Sequence, residues 1–594
     1  MLIRGHDDFL YAMMCLGASD EIAVDTETSG LNVRNRVDYL MGFCFSVEGM
    51  ECYMPFRHKE GNLPLHYLGK IAELLEFKNL DWHNQKFDWH SIKTIGIDPL
   101  NFKGKQWDNL LVAHLIDEEA YSKELDALGK KYLGIGKLDS DVVKGMGKSI
   151  GFVNIPVEMY ERYGPQDAVI TRRLREPLEK ELVKQDLQGV YWNTEQPFTQ
   201  LLYVIEQRGV GVNKDFTASK AELGRGRMAT ITRELGFNPA SPIALGKYLL
   251  DELNLPVLAH TDSCVPCKNG YEIHTHEGKP SFNKKVMEDY DDILSESSNI
   301  SARRIAEFRG WQKATTSLYE PVLLKTGPDG LIRTDFRQAK AVTGRLSAAD
   351  PNMQQTPRGS AKPWNGDAKK CFWSGREGFI LRGYDYSQLE LRLGAAYGNE
   401  RVLLEEFNKP DADPFRTLAP LIFGVFTEET RHDTKTFVYS NLFGAGLRKV
   451  AAQLGRPLDE VEELYRNYHD SIPGIMEVSK TVASLAANRG WIRYWDGRRR
   501  HFRYRSDAYK AWNSLLQGGG AQLVKRAMLR IREWEDDNCF MVLQVHDEIT
   551  FAIREDMVDV YEPKIIEAMT QWNNVPELPQ GLGVKMHVEG KDWK

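Results

Sequence analysis

Cysteine is scarce in this sequence, and so are long uncharged runs. Seven cysteines in 594 residues, odd in number and mostly scattered, make no disulfide framework and suit a reducing cytosol. No stretch approaches the roughly 18–20 apolar residues that a membrane helix needs, and no signal peptide is visible. An excess of positive charge is also missing: 77 basic against 84 acidic residues leave a net charge of −7. That balance gives no global sign of a polyanionic ligand, although the cations can still be gathered on one face. The length rules out one core and points to two to four domains. The 42% hydrophobic and 27% charged content is that of an ordinary globular protein, expected in the cytoplasm.

What is present is organised around Asp385-Tyr386-Ser387-Gln388-Leu389-Glu390-Leu391-Arg392. Residues 378–384 before it are apolar and β-prone, and the run after Asp385 opens like a helix. A carboxylate at the end of a buried strand is a natural place for a divalent metal, but it needs partners.

Near the start of the chain, Glu21-Ile22-Ala23-Val24-Asp25-Thr26-Glu27-Thr28-Ser29-Gly30 reads as a strand with Asp25 and Glu27 on one face. Such pairs are common on solvated strands, yet oxygen ligands placed this way also suit Mg²⁺ or Mn²⁺. Residues 40–46 and 51–56 read as further strands, and residues 107–114 as helix. Trp82-His83-Asn84-Gln85-Lys86-Phe87-Asp88 leads into a helical pattern, and Tyr163-Gly164-Pro165-Gln166-Asp167 comes near the end of the segment. Proline is tolerated only in a helix's first turn, so the spacing predicts a helix starting near Pro165 with Tyr163 just outside it. In order, Asp25-x-Glu27, Asn84-x-x-x-Asp88 and Tyr163-x-x-x-Asp167 resemble the three motifs of DnaQ-like 3′–5′ exonucleases. The resemblance implies that Asp25, Glu27, Asp88 and Asp167 hold two metal ions and that Tyr163 orients the attacking water. Asn84 then positions the DNA strand or the metal-binding loop, with a plain helix N-cap as the bland alternative.

In the middle of the chain, residues 303–313 read as a helix with a basic stripe, either a solvated face or a phosphate contact. Cys264 and Cys267 with His274 and His276 offer zinc-type ligands, but not at the spacing of a structural zinc site.

Arg431, Lys435, Tyr439 and Phe443 are four apart, about 40° per step around a helix, and make one winding stripe of two cations and two rings. Residues 540–553 read as two apolar strands joined at His546-Asp547-Glu548, acids that are costly to bury without a partner. These runs, with Thr343-Gly344-Arg345-Leu346-Ser347 and the Asp385 run, resemble the family A (bacterial DNA polymerase I-like) polymerases. The resemblance implies that Asp385 and Asp547, with the backbone carbonyl of Tyr386, bind two Mg²⁺, supported by Glu548. Lys435 and Arg431 then meet the triphosphate, with Lys435 also a proton donor to pyrophosphate. Tyr439 and Phe443 meet sugar and base, Glu390 excludes a 2′-OH, and Gln388 contacts the triphosphate. Arg345 is expected at the primer end or the incoming nucleotide, and His546 at the primer terminus. Asn513 and Gln517 are expected in the template minor groove. Arg498, Arg499 and Arg500, with Arg503 and Arg505, are expected on duplex phosphates. Two departures stand out: Phe415 where a phosphate-contacting His is usual, so that this contact is absent or is supplied by Arg416, and Tyr439 where Phe is frequent.

The expected fold is a multidomain α/β chain. An RNase H-like exonuclease domain (1–190) is followed by a right-hand polymerase domain. That domain divides into thumb and palm entry (191–340), first palm part (341–400), fingers (401–486) and second palm part (487–594). The expected activity is template-directed DNA synthesis with 3′–5′ proofreading and no 5′ nuclease domain, as in a phage replicative polymerase acting in its host's cytoplasm. Expected cofactors are two Mg²⁺ per active site, with Mn²⁺ able to substitute. Expected partners are primer-template DNA, dNTPs, a single-stranded 3′ end in the exonuclease site, and a replication helicase/primase or single-strand binding protein. The chain is expected to be a monomer with no membrane partner. The other readings are a single-subunit RNA polymerase, opposed by Glu390, and a silent DNA-binding scaffold, opposed by the complete set of acids.

Overall fold

The computed structural model describes residues 1–137, 140–260, 279–283, 286–287, 290, 296–357, 362–570 and 588–593. The Cys264, Cys267, His274 and His276 group lies outside the described residues. The chain divides into two compact units: Met1–Val210, Gly327–Gln354 and Ser374–Trp593 form one, and Gly211–Thr326 with Gln355–Trp373 form the other.

Among the described residues, the first unit contains two large sheets besides the two-stranded pairs 335–337 with 347–349 and 491–493 with 499–501. Its amino-terminal sheet has the order β3-β2-β1-β4-β5, with β1 Glu21–Thr28, β2 Leu40–Val47, β3 Met50–Pro55, β4 Asn79–Trp82 and β5 Gln106–Asp108. Strand β2 is buried along its whole length, so it reads as a continuous apolar run rather than an alternating one. Helix α1 (Gln85–Lys93) follows β4 and buries Trp89 and Ile92 in the same core as Phe43, Phe45 and Trp82. Trp107 and Asp108 belong to β5, and the helix expected over 107–114 begins only at Asn109.

Helix α2 (Tyr160–Lys184) corrects the predicted start near Pro165: Tyr163 lies inside the helix, and Pro165 is in its second turn. Packing overrides the local preference. Ile170, Leu174, Leu178 and Leu182 recur every four residues and are fully buried. Gly164 lets the helix lie directly on β2, where a Cβ would come within 2.7 Å of the Cys44 sulfur. Helix α3 (Gln196–Arg208) then leads toward the rest of the unit.

The second sheet of this unit is wholly antiparallel, in the order β8-β9-β7-β10. It follows the short strand β6 (Asp335–Arg337) in the chain, and its members are β7 Phe379–Tyr386, β8 Cys539–Val545, β9 Glu548–Arg554 and β10 Val588–Asp592. Four helices matter to the site: α4 (Leu389–Gly398), α5 (Pro414–Phe423), α6 (Glu428–Leu442) and α7 (Ala511–Arg532). Gly518 permits close packing on α7, because a Cβ there would fall 2.1 Å from the Tyr494 ring.

In the second unit, the helices Lys214–Leu235 and Glu296–Ala314 pack closely at Gly224, where a Cβ would meet Thr315 Oγ1 at 2.1 Å. The basic stripe is partly consumed internally. Arg304 pairs with Glu307 and Glu234, and Arg309 donates to the Phe282 carbonyl, while Arg303 and Lys313 are exposed.

Candidate active sites

The first acidic centre stands at the end of β1. Asp25 and Glu27 leave the same face, and the β1–β2 register sets Cys44 opposite Asp25. One ligand atom from each of Asp25, Glu27 and Cys44 lies within 4.8 Å of the other two, the only such group of three among the described residues. Asp88, on α1, accepts hydrogen bonds from the Thr26 backbone N–H at 3.2 Å and the Thr26 hydroxyl at 2.7 Å. Asp167, one turn beyond Tyr163 on α2, is buried. Its Oδ2 accepts from the Lys137 ammonium, while its Oδ1 has no hydrogen-bond partner.

These carboxylates are costly to keep charged together. Burial, then the charge of Asp167, pushes Asp25 up to about 7. Burial and Asp25 raise both Glu27 and Asp88 well above the carboxylate range. Burial also raises Asp167, against the pull of Lys137. A buried, crowded set of hard oxygen donors with an unpartnered oxygen fits a small divalent cation. The Cys44 thiol is pushed up by burial and Glu27, so it stays protonated. Burial, Glu27 and Asp167 likewise keep the Tyr163 phenol neutral.

Asn84 occupies the position before α1 with φ 74° and ψ 48°, a left-handed conformation that Asn tolerates. Its side chain caps nothing, which corrects the N-cap alternative. Asp108 takes the backbone N–H groups of Asn84 at 2.9 Å and Gln85 at 3.0 Å, leaving the Asn84 side chain exposed.

The second acidic centre stands where β7 meets the β8–β9 hairpin. The register pairs Asp385 with Glu548, the first residue of β9, so Asp385 faces the two-residue turn His546-Asp547. His546 holds φ 57° in that turn. Glu548 folds over Gly383, where a Cβ would meet its Oε1 at 2.4 Å, and its Oε1 accepts from Thr550 at 3.3 Å. Tyr386 points to the other side of the sheet, its hydroxyl donating to the Met569 carbonyl at 2.7 Å. Gln388, at φ 55°, makes the turn from β7 into α4, and its Oε1 is buried without a hydrogen-bond partner. Arg345 Nη2 lies 2.5 Å from Glu390 Oε1 and 3.5 Å from Asp547 Oδ1.

Helix α6 buries Thr430, Thr434, Phe437, Val438 and Leu442, so the stripe of Arg431, Lys435 and Tyr439 is not its core face. Phe443 lies just past the helix end, its ring stacked on Tyr439 with centroids 5.9 Å apart. Burial and Glu390 push the Tyr439 phenol up to about 12. Phe415 is buried with its centroid 5.8 Å from that of Tyr439, extending the aromatic row. Arg416 is turned onto the Phe426 ring, and Asp413 holds Arg431 Nε at 2.6 Å. Between 511 and 525 on α7, only Asn513 and Gln517 are not buried; both are partly exposed, and Asn513 Oδ1 is buried without a hydrogen-bond partner.

The arginine-rich turn needs correction. Arg498 and Arg500 are buried, not part of a phosphate patch. Glu195 Oε1 accepts from Arg498 at 2.7 Å and from Lys525 at 2.6 Å, while Arg500 pairs with Glu118 at 3.0 Å and Glu119 at 2.7 Å. Buried carboxylates demand such cations. Arg498 also lies under Gly344 (φ 80°), where a Cβ would meet its Cζ at 3.0 Å, so it fixes the turn that presents Arg345. Only Arg499 of the three stays partly open, stacked on Trp491. Lys137, Cys44, Asp108 and Glu195 were not legible as site residues; the β1–β2 pairing could have suggested Cys44, and nothing local marks the others.

A family model described as DNA polymerase family A matches residues 212–594, and one described as 3'-5' exonuclease matches residues 2–183. The chain is 29% identical over 578 residues to DNA polymerase I of Pseudomonas aeruginosa, covering 92% of this chain and 60% of that one. It is 25% identical over 636 residues to DNA polymerase DpoZ of Acinetobacter phage SH-Ab 15497, covering 96% and 97% of the two chains. A solved structure titled as the POL domain of Pol1 from M. smegmatis in complex with DNA primer-template and dNTP aligns with a TM-score of 0.79 at 21% identity. That alignment covers 100% of this chain and 99% of the other, a likeness of fold. The chain spans about 60% of the length of the bacterial relatives it matches.

Proposed function

The chain belongs to DNA polymerase family A and carries a 3′–5′ exonuclease domain, and from that premise we propose that it copies a DNA template from dNTPs and proofreads its own primer. The observation that carries this reading is the pair of separate acidic centres, each at the end of a strand: Asp25 and Glu27 with Asp88 and Asp167, and Asp385 beside Asp547.

On this reading, primer-template DNA and dNTPs are the partners of the polymerase centre, and a single-stranded 3′ end is the partner of the exonuclease centre. Asp385, Asp547 and the Tyr386 carbonyl would hold divalent ions in one, and Asp25, Glu27, Asp88 and Asp167 in the other, with Mg²⁺ the expected ion. Bound in pairs, such ions supply Lewis-acid activation and charge neutralisation for phosphoryl transfer. Lys435 and Arg431 meet the triphosphate, with Arg431 oriented by Asp413. Tyr439, Phe443 and Phe415 give the sugar and base an aromatic wall. Glu390, held by Arg345, is the residue that excludes a 2′-OH on this reading. Asn513 and Gln517 offer amides to a minor groove. In the exonuclease centre the neutral Tyr163 phenol orients water, and Asn84 offers its exposed amide to the strand.

The test is extension of a primer with a mismatched 3′ end. The parent should trim and then extend; Asp25→Ala should extend matched primers only; Asp547→Ala should trim without extending. Extension by Asp547→Ala would sink the assignment of the polymerase centre.

A further inference from the structure

Lys137 belongs to none of the recurring motifs, yet it is the cation bonded into the nuclease carboxylates. It follows helix Leu125–Leu133, which ends at Gly134 with φ 69°. Its backbone N–H donates to Asp126 Oδ1 at 2.8 Å, which pins the chain where the side chain departs. The ammonium bonds Asp167 Oδ2, and its charge also reaches Asp25 and Glu27. The nearby His83 imidazole, held neutral at about 3 by burial and by Lys137, adds no competing cation.

This contact differs from the buried ion pairs at Glu195 and Glu206. Glu195 and Glu206 each accept from three or more groups and are fully enclosed. Lys137 has one carboxylate partner and a side chain that keeps 24% of its exposure. An ammonium on a flexible stem is a point charge without the fixed fork of an arginine, so it can leave one oxygen and return. The acid it holds is also one that the metal-ligand motif needs.

We infer that Lys137 is the resident counter-cation of the exonuclease centre: it holds Asp167 while no divalent ion is bound, and an incoming ion must displace it, so Lys137 sets the metal affinity of the site. The inference rests on the reading of Asp25, Glu27 and Asp167 as metal ligands. Its removal takes away the cation that competes for Asp167 Oδ2, and that favours the divalent ion.

The experiment is an electron-paramagnetic-resonance titration of Mn²⁺ on the full chain carrying Asp547→Asn, which weakens ion binding at the polymerase centre. Lys137→Met should tighten Mn²⁺ binding at the exonuclease centre roughly five- to tenfold, the scale of a modest coupling between two ligands. Lys137→Arg, which keeps the charge and adds a fork that grips the carboxylate, should bind Mn²⁺ no more tightly than the parent. Thermal unfolding gives a second readout: saturating Mn²⁺ should raise the midpoint further in Lys137→Met than in the parent. Unchanged or weaker Mn²⁺ binding in Lys137→Met, with an equal thermal shift, overturns the inference. Asp25→Ala separates the two readings: if it binds as much Mn²⁺ as the parent, the ligand assignment fails, independently of Lys137.

Discussion

The guanidinium of Arg345 joins two acids with different tasks, lying 2.5 Å from Glu390 and 3.5 Å from Asp547. On the proposed reading, primer and nucleotide meet an arginine already engaged on both the sugar-side and the metal-side carboxylate. Arg345→Ala should lower kcat/KM for dNTP incorporation on the order of a hundredfold, about 3 kcal/mol. Arg345→Lys should not restore it, because lysine lacks the planar fork. Single-turnover incorporation decides, and a lysine variant within a few-fold of the parent would contradict the forked role.

Glu390→Ala should admit ribonucleotides. Discrimination between dNTP and rNTP, read as the ratio of kcat/KM values, should fall on the order of a hundredfold. Unaltered discrimination would place the sugar gate elsewhere.

Tyr439 lies between the Phe415 and Phe443 rings with its hydroxyl kept protonated. Its hydroxyl is expected to serve the 3′ side of a nucleotide that lacks a 3′-OH, giving ready dideoxynucleotide use. Tyr439→Phe should shift the dideoxy/deoxy ratio toward deoxy; an identical ratio in competition assays refutes this.

The buried arginines should separate from the exposed one by salt dependence. Arg498→Met should cost about 2 kcal/mol of stability, because it takes one charged donor from a buried carboxylate. It should leave the salt dependence of duplex binding unchanged. Arg499→Ala should barely alter stability and should lessen the log–log salt slope by about one. A lower slope for Arg498→Met would restore the phosphate role that its burial argues against.

Glu206 gives a pH dependence. Burial alone would raise its pKa, but Lys86, Arg34 and His90 hold it at about 2, below its ordinary 4.5. A depressed carboxylate stabilises the fold above pH 4.5, and that contribution is lost as pH falls toward 2. Its size is about 3 kcal/mol. His90 works in the same direction: burial lowers it from 6.5 to about 4, so acid favours the unfolded chain. The stability gap between the parent and Glu206→Gln should be full at pH 7 and shrink below pH 4.5. A gap independent of pH in urea titrations counts against this.

The strand-borne acids were legible because strands advertise themselves, whereas Asp88 and Asp167, on helices, came only with the motif resemblance. Asp25 and Glu27 alternate on a β-prone run, and Asp385 and Asp547 end apolar ones. The stripe on α6 was legible because a helix repeats every three to four residues. Other features depend on partners far away in the chain. Pro165 looked like a helix start only because the contact of Gly164 with Cys44 joins residues 120 apart. The arginine turn looked like a phosphate site because Glu195 lies 303 residues from Arg498. Local sequence carries propensity, whereas a buried ion pair is settled by what the fold brings together.

The two family matches leave residues 184–211 to neither. An alignment would treat that stretch as a tether, yet it carries both Glu195 and Glu206. Glu206 neutralises Arg34 and Lys86 of the nuclease, and Glu195 neutralises Arg498 and Lys525 of the polymerase. Any cut that makes two separate enzymes meets this arrangement. Severed before residue 195, the nuclease loses its anion; severed after residue 206, the polymerase loses its own; severed between them, both do. Point substitutions are expected to separate the two proposed activities, whereas dividing the polypeptide leaves at least one half with cations that have lost their buried carboxylate.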